Sequence, residues 1–289
     1  MALAPLTTGA EVGLRRFGLR GDLAAGRAHG LHVESPWGDL TVSAEYLCGS
    51  PAEFGHCHGL LIGLKSTANT QLPALLGQLE PSPRAIVLLQ NGLGGEDLVA
   101  AAAPEAVVIG AILEIACSRV GPARVRHYAH GLVRLASLQR STEAHQFCAA
   151  VADDLSAAGV PVQVNNSLVS MRWYKLVWNI AFSGLCTVSG LRTLELLADP
   201  QLRQRLLGVM QEVASAASAD GAELEADLIA TFVAKTEAMV SCAPSMQLDA
   251  MAGRPLELEA IYREPLRRAR RCDVAMPQTS RLLQELERL

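Results

Sequence analysis

The feature that most constrains this chain is a change of rhythm close to residue 167. Before it, apolar runs of strand length at 59–64, 85–90 and 107–115 alternate with helical patterns at 67–79 and 96–103. A further helical pattern at 142–158 leads into a last strand at 160–164. Parallel strands need long crossovers that cover the sheet, so this alternation predicts a parallel α/β sheet. Two hairpin-like segments decorate it. One is LHVES-PWGD-LTVS near 31–43, the other RVRHY-AHG-LVRLA near 124–136. From Ser167 onward only long helical patterns occur, broken at Ser189-Gly190, Asp199-Pro200, Asp220-Gly221, Ala252-Gly253 and Met276-Pro277. The expectation is an α/β domain over 1–166 followed by an all-α domain over 167–289.

With 289 residues, half of them hydrophobic, the chain can fill two cores. A net charge of −4 without a basic cluster argues against nucleic acid and anionic membrane as partners and leaves a small molecule as the expected ligand. The longest apolar stretch, 176–191, carries Asn179 and two serines and is too short and polar to span a bilayer by preference. The first residues lack the basic start and apolar run of a signal peptide. Seven scattered cysteines, none in CxxC spacing, suit a reducing compartment, hence the cytoplasm. The sequon at Asn165 has no consequence there. His56-Cys57-His58 is too close-set for a zinc site, so no metal is expected. GxSxG, Walker and HExxH motifs are absent.

Four places could carry chemistry. On the helical pattern 171–188, Lys175, Asn179 and Ser183 recur every four residues and fall near one face among Trp173, Leu176, Trp178, Ile180 and Phe182. A lysine so surrounded is desolvated, which lowers its pKa and suits it to proton transfer. The alternative is a surface stripe with a snorkelling lysine. The second place is Leu88 to Asp97, a strand, a glycine loop and a helix start. It lacks the third glycine of a dinucleotide fingerprint, and Glu96 and Asp97 would repel a pyrophosphate. Asn91 then offers a neutral amide at a strand's carboxyl end, or simply makes an Asn-Gly turn. The third place holds Ser245 and Asp249 on one helical face and Glu257 in a new first turn. Capping by Ser245 and dipole compensation by Glu257 are the structural alternatives. The fourth is basic: Arg15, Arg16, Arg20 and Lys65 lie near strand ends and could bind phosphate or merely be solvated.

Together and in order, LLQNGLGGEDL, RWYKLVWNIAFSGL, PSMQLDAMAGRPLELEAI and RRCDVAMPQTSRLL resemble the ketopantoate reductase family (2-dehydropantoate 2-reductase) from about Gly18 onward. The resemblance implies a Rossmann domain followed by a helical domain. It implies reduction of 2-dehydropantoate to pantoate with NADPH, a step toward pantothenate and coenzyme A, in a cytoplasmic protein compatible with a homodimer. Lys175 would be the general acid. Asn179, Ser183 and Ser245 would bind the substrate, and Asn91 would touch substrate and nicotinamide side alike. Glu257, Ala116, Arg20 and Lys65 would contact the cofactor, the last two favouring its 2′-phosphate.

Two departures qualify this. Ser183 stands where the family usually has a second asparagine. The opening strand and GxGxxG loop have no counterpart, since Gly9 to Gly13 lacks the spacing and Met1 falls within the family's first helix. The expected fold is therefore Rossmann-like and doubly wound with its first strand missing, an N-terminally truncated 1–166 domain. A catalytically impaired or non-catalytic relative, and a reductase of another 2-oxoacid, are the alternatives these departures raise.

Overall fold

The computed structural model describes residues 16–17 and 22–289. The expectations placed on Met1, Gly9 to Gly13, Arg15 and Arg20 lie outside the described residues. The chain divides into two compact units, Met1–Gln90 with Gly95–Leu168, and Asn91–Gly94 with Val169–Leu289.

The first unit is built on strands β1 (Arg16–Phe17), β2 (Leu31–Glu34), β3 (Leu40–Val42), β4 (Leu47–Cys48), β5 (Gly59–Ile62), β6 (Ala85–Leu88), β7 (Val107–Gly121), β8 (Arg124–Ser137) and β9 (Val162–Val164). Its helices are α1 (Leu23–His29), α2 (Leu72–Leu76), α3 (Gly95–Ala102) and α4 (Thr142–Ala157). β1 and β4 form a separate parallel pair. The main sheet has the order β3-β2-β8-β7-β6-β5, with β9 beside β8.

The parallel part is β5-β6-β7, in which Leu61, Val87 and Ile109 lie side by side. β6 is buried at every position, as a strand covered on both faces must be. Ile86 and Leu88 join Leu60, Ile62, Leu72, Leu76 and Val99 on one face. Val87 and Ile109 join Leu135, Ala144, Cys148 and Val151 on the other. Helices thus lie on both faces, and the unit is Rossmann-like.

The rest of the sheet is mixed where a parallel sheet with two hairpins was expected: β7–β8 and β2–β3 are antiparallel, while β2 and β9 each pair with β8 in parallel. β7 does not end at 115 but runs to Gly121, turns at Pro122 and Ala123, and returns as the antiparallel strand β8. The triplet Ala129-His130-Gly131 is therefore an irregularity inside a strand, not a hairpin turn. Both GPA and AHG can turn a chain, and the longer ladder wins because it pairs more backbone groups. The ladder absorbs the spare residues as register shifts near Ile115 and Cys117, where His130 (φ 65°) and Gly131 (φ 145°) have positive φ. A Cβ on Gly131 would strike the Trp37 indole, so glycine is required there. The hairpin expected near 31–43 is present as β2 and β3. The helix expected over 67–79 is a 3₁₀ segment, Ser66–Gln71, followed by the short α2 with Pro73 in its first turn.

The second unit is helical: α5 (Leu168–Trp178), α6 (Gly184–Ser189), α7 (Thr193–Ala198), α8 (Pro200–Ala219), α9 (Leu228–Glu237), α10 (Ser245–Met251), α11 (Glu264–Arg271) and α12 (Pro277–Leu286). The expected breaks are physical ends. Gly190 closes α6 in the left-handed region at φ 75°. Asp199 caps α8 by accepting from the N–H groups of Gln201 and Leu202. The core gathers Trp173, Leu176, Phe182, Leu185, Leu206, Met210, Val213, Tyr262 and Leu282. Two π-helical turns, Asn179–Ser183 and Glu259–Arg263, interrupt it. Among the described residues no helix is long and apolar enough to cross a membrane.

Candidate active site

The polar stripe lies on one continuous helical run made of α5, the turn Asn179–Ser183 and α6. Both α5 tryptophans are tied at their polar ends. Trp173 Nε1 donates to Asp220 Oδ2 at 2.8 Å, and Trp178 Nε1 donates to Thr236 Oγ1 at 3.0 Å. With the Trp173 indole buried, that of Trp178 partly buried, and both bonded, α5 cannot roll, which fixes the direction of Lys175. Lys175 is half-buried, and Asn179 and Ser183 are buried at 6% and 3% exposure.

An α-helix has about 3.6 residues per turn, so a four-residue spacing drifts by roughly 40° at each step. Two such steps would carry Ser183 well off the line of Lys175. The π-turn is wider, and the four steps from Asn179 to Ser183 complete less than one revolution, which reverses the drift. At its end the Gly184 N–H is shared between the carbonyls of Ile180 and Ala181. Trp178 and Phe182 stack across the turn with ring centres 5.0 Å apart.

Ser245 is the first residue of α10 and exposed. Pro244 holds the capping position, and no side chain bonds there, so the capping role considered for Ser245 does not apply. Asp249, one turn on, is buried and accepts from Arg254 Nε at 2.8 Å. Glu257 is buried as its segment becomes helical, and its carbonyl accepts from Ile261 N–H.

Asn91 belongs with the helical unit rather than the sheet in whose sequence it lies. Leu93 N–H donates to the Ala260 carbonyl at 2.9 Å, which pins Asn91–Gly94 to the second π-turn. Gly92 has φ 90°, and a Cβ there would come within 2.5 Å of Ala260. Lys175, Asn179, Ser183, Ser245, Glu257 and Asn91 are thus all carried by one unit.

Lys65 and Ala116 belong to the other unit. Lys65 is exposed and lies three residues past the end of β5, at the capping position of the 3₁₀ segment. Ala116 does not follow a strand, as expected, but sits within β7 opposite Ala129. Arg20 is outside the described residues. At the start of α3, Glu96 is buried and Asp97 exposed, so that helix end is already supplied with negative charge.

Nucleophilic chemistry is poorly served nearby. All seven cysteines are free, and burial pushes the Cys186 thiol up to about 12 and that of Cys148 to about 11. Among the described residues no group of three or more His, Cys, Asp or Glu side chains could hold a metal. What remains is a half-buried ammonium, amides, a hydroxyl and a buried carboxylate. That set can hold a small polar molecule and donate a proton to it.

Two residues went unnoticed in the sequence. Tyr262 is fully buried and donates its hydroxyl to the Ile180 carbonyl at 2.8 Å. Gly184 leaves room for that hydroxyl, because a Cβ there would collide with it. The available signal was a glycine amid a strongly apolar helix.

A Rossmann-like unit joined to a helical unit that presents a lysine and an amide one turn apart defines a class of oxidoreductases that use a nicotinamide dinucleotide. The model for ketopantoate reductase PanE/ApbA matches residues 9–140, and that for the C-terminal part of ketopantoate reductase PanE/ApbA matches 167–289. A 2-dehydropantoate 2-reductase of Nostoc sp. is 32% identical over 281 residues, covering 94% of this chain and 86% of the relative. The crystal structure of 2-dehydropantoate 2-reductase from Geobacter metallireducens is similar with a TM-score of 0.87 and 34% identity, covering 94% of this chain and 90% of that one. That from Methylococcus capsulatus gives 0.81 and 30%, covering 93% and 86%. The chain belongs to the ketopantoate reductase family.

Proposed function

We propose that this protein reduces 2-dehydropantoate to (R)-pantoate with NADPH, in the cytoplasm, on the way to pantothenate and coenzyme A. The observation that carries the reading is the Lys175, Asn179 and Ser183 stripe, aligned by a π-turn in a member of this family. Lys175 Nζ gives its proton to the ketone oxygen of the substrate. Asn179 and Ser245 hold the carboxylate and hydroxyl groups, and Asn91 orients the substrate against the nicotinamide. When bound, the nicotinamide supplies the hydride.

The sheet unit fits such a cofactor at the carboxyl ends of its parallel strands, where open α/β sheets take ligands and where Lys65 is an exposed cation. The acidic first turn of α3 does not suit a pyrophosphate. Lys65 and Arg20 would therefore hold the 2′-phosphate, with Asn91, Ala116 and Glu257 along the remainder. Lys65→Ala is expected to raise KM for NADPH on the order of tenfold while leaving KM for NADH unchanged, because only the phosphate's charge-assisted bonds are lost.

The decisive test is ketopantoate-dependent NADPH oxidation by the purified chain. A rate no greater than without ketopantoate would refute the reading. Ser183 favours one second reading, a reductase of a different 2-oxoacid, since a serine reaches less far than the asparagine usual there. Higher kcat/KM on another acid of a 2-oxoacid panel would select it.

A further inference from the structure

The two π-turns of the helical unit are joined by one side chain. Tyr262 belongs to the second, and its hydroxyl bonds the Ile180 carbonyl in the first at 2.8 Å. The site of this bond is specific. Ile180 lies between Asn179 and Ser183, where the Gly184 N–H divides itself between two carbonyls. A divided donor binds each acceptor weakly, so the Tyr262 hydroxyl supplies what the helix's own ladder withholds. The ring is fully buried, and burial pushes its ionisation well above the ordinary tyrosine value, so the hydroxyl remains a donor. Gly184 completes the seat, since any Cβ would meet the hydroxyl and approach Leu282 Cδ2 at 2.8 Å. Two residues before Tyr262, Ala260 receives the Leu93 N–H and fixes the loop that carries Asn91.

We infer that Tyr262 is a positioning residue for the reaction: through the Ile180 carbonyl it holds the turn that presents Asn179 and Ser183, in register with the loop that presents Asn91. The inference rests on the reductase reading for its kinetic consequence, but not for its structural one. A small shift of the amide misplaces the substrate, and misplacements of about 1 Å cost on the order of 10²-fold in rate. The same hydroxyl–carbonyl bond makes the alignment of the stripe depend on a residue about eighty positions away.

The test compares Tyr262→Phe with Thr279→Val in the full chain. Thr279 also buries a bonded hydroxyl in this unit, donated to Glu212 Oε2 at 2.9 Å, and lies on α12, outside both π-turns. Both variants are expected to lower Tm. Only Y262F is expected to raise KM for ketopantoate about tenfold, with KM for NADPH unchanged, and to speed amide exchange at 180–184 about five- to tenfold. Y262F with the KM and local exchange of T279V would overturn the inference. Should Y262F not fold, Gly184→Ala gives the second measurement, because its methyl displaces the same hydroxyl. Wild-type KM and exchange in folded G184A would likewise overturn it. Wild type that turns over no ketopantoate counts against the reductase reading alone, and the exchange comparison then decides the role of Tyr262.

Discussion

Replacing Lys175 by alanine is expected to lower kcat for ketopantoate reduction on the order of 10²–10⁴-fold, the range over which a positioned general acid contributes. Hydride delivery to a ketone leaves charge on oxygen, and the ammonium is the group of the helical unit best suited to neutralise it. KM for NADPH is expected to move little, because the lysine acts on the substrate's oxygen and the loss falls on the transition state. Lys175→Met, which keeps the stem but not the charge, is expected to match alanine in kcat. Steady-state kinetics with both substrates varied gives the answer. Either variant with wild-type kcat removes Lys175 from the mechanism. The tied indoles of Trp173 and Trp178 make the comparison clean, since they hold α5 whatever stands at 175.

The second large effect is expected at Gly92. Alanine there must adopt φ near 90° and place its methyl within 2.5 Å of the Ala260 backbone and side chain. Neither can give without breaking the Leu93 to Ala260 hydrogen bond. Left-handed strain and overpacking together cost about 2–4 kcal/mol. Gly190→Ala is the control. It has φ 75° but nothing within 4 Å of the added methyl, so only backbone strain of about 1 kcal/mol remains. Urea unfolding distinguishes them, and equal midpoints would deny the Asn91–Gly94 loop its tight seat. KM for ketopantoate should rise in G92A as well, because Asn91 is the neighbouring residue.

Much of this was legible because the forces were local. The runs at 59–64, 85–90 and 107–115 read as strands because residues covered on both faces are continuously apolar, and Ile86 to Leu88 are fully buried. Asp199-Pro200 and Gly190 read as helix ends because capping chemistry depends on immediate neighbours. What was hidden depends on distant partners. GPA and AHG are equally good turns until the strands on either side choose their register, so β7 was read six residues short. A four-residue spacing looks the same on an α-helix and through a π-turn, so the stripe was visible but the device that straightens it was not. Asn91 was legible as a polar residue at a strand end. Its membership of the helical unit was not, because it follows from Ala260 and the room at Gly92.

The turn at Asn179–Ser183 also bears on how the protein could be taken apart. A peptide of residues 168–189 alone would lack Tyr262 and relax into an ordinary α-helix. Its lysine, amide and hydroxyl would then spiral away from one another. Grafting this helix onto another bundle would transfer every chemical group and lose their common bearing. The site is inherited as a contour of the assembled unit, and no segment cut from it carries the pattern along.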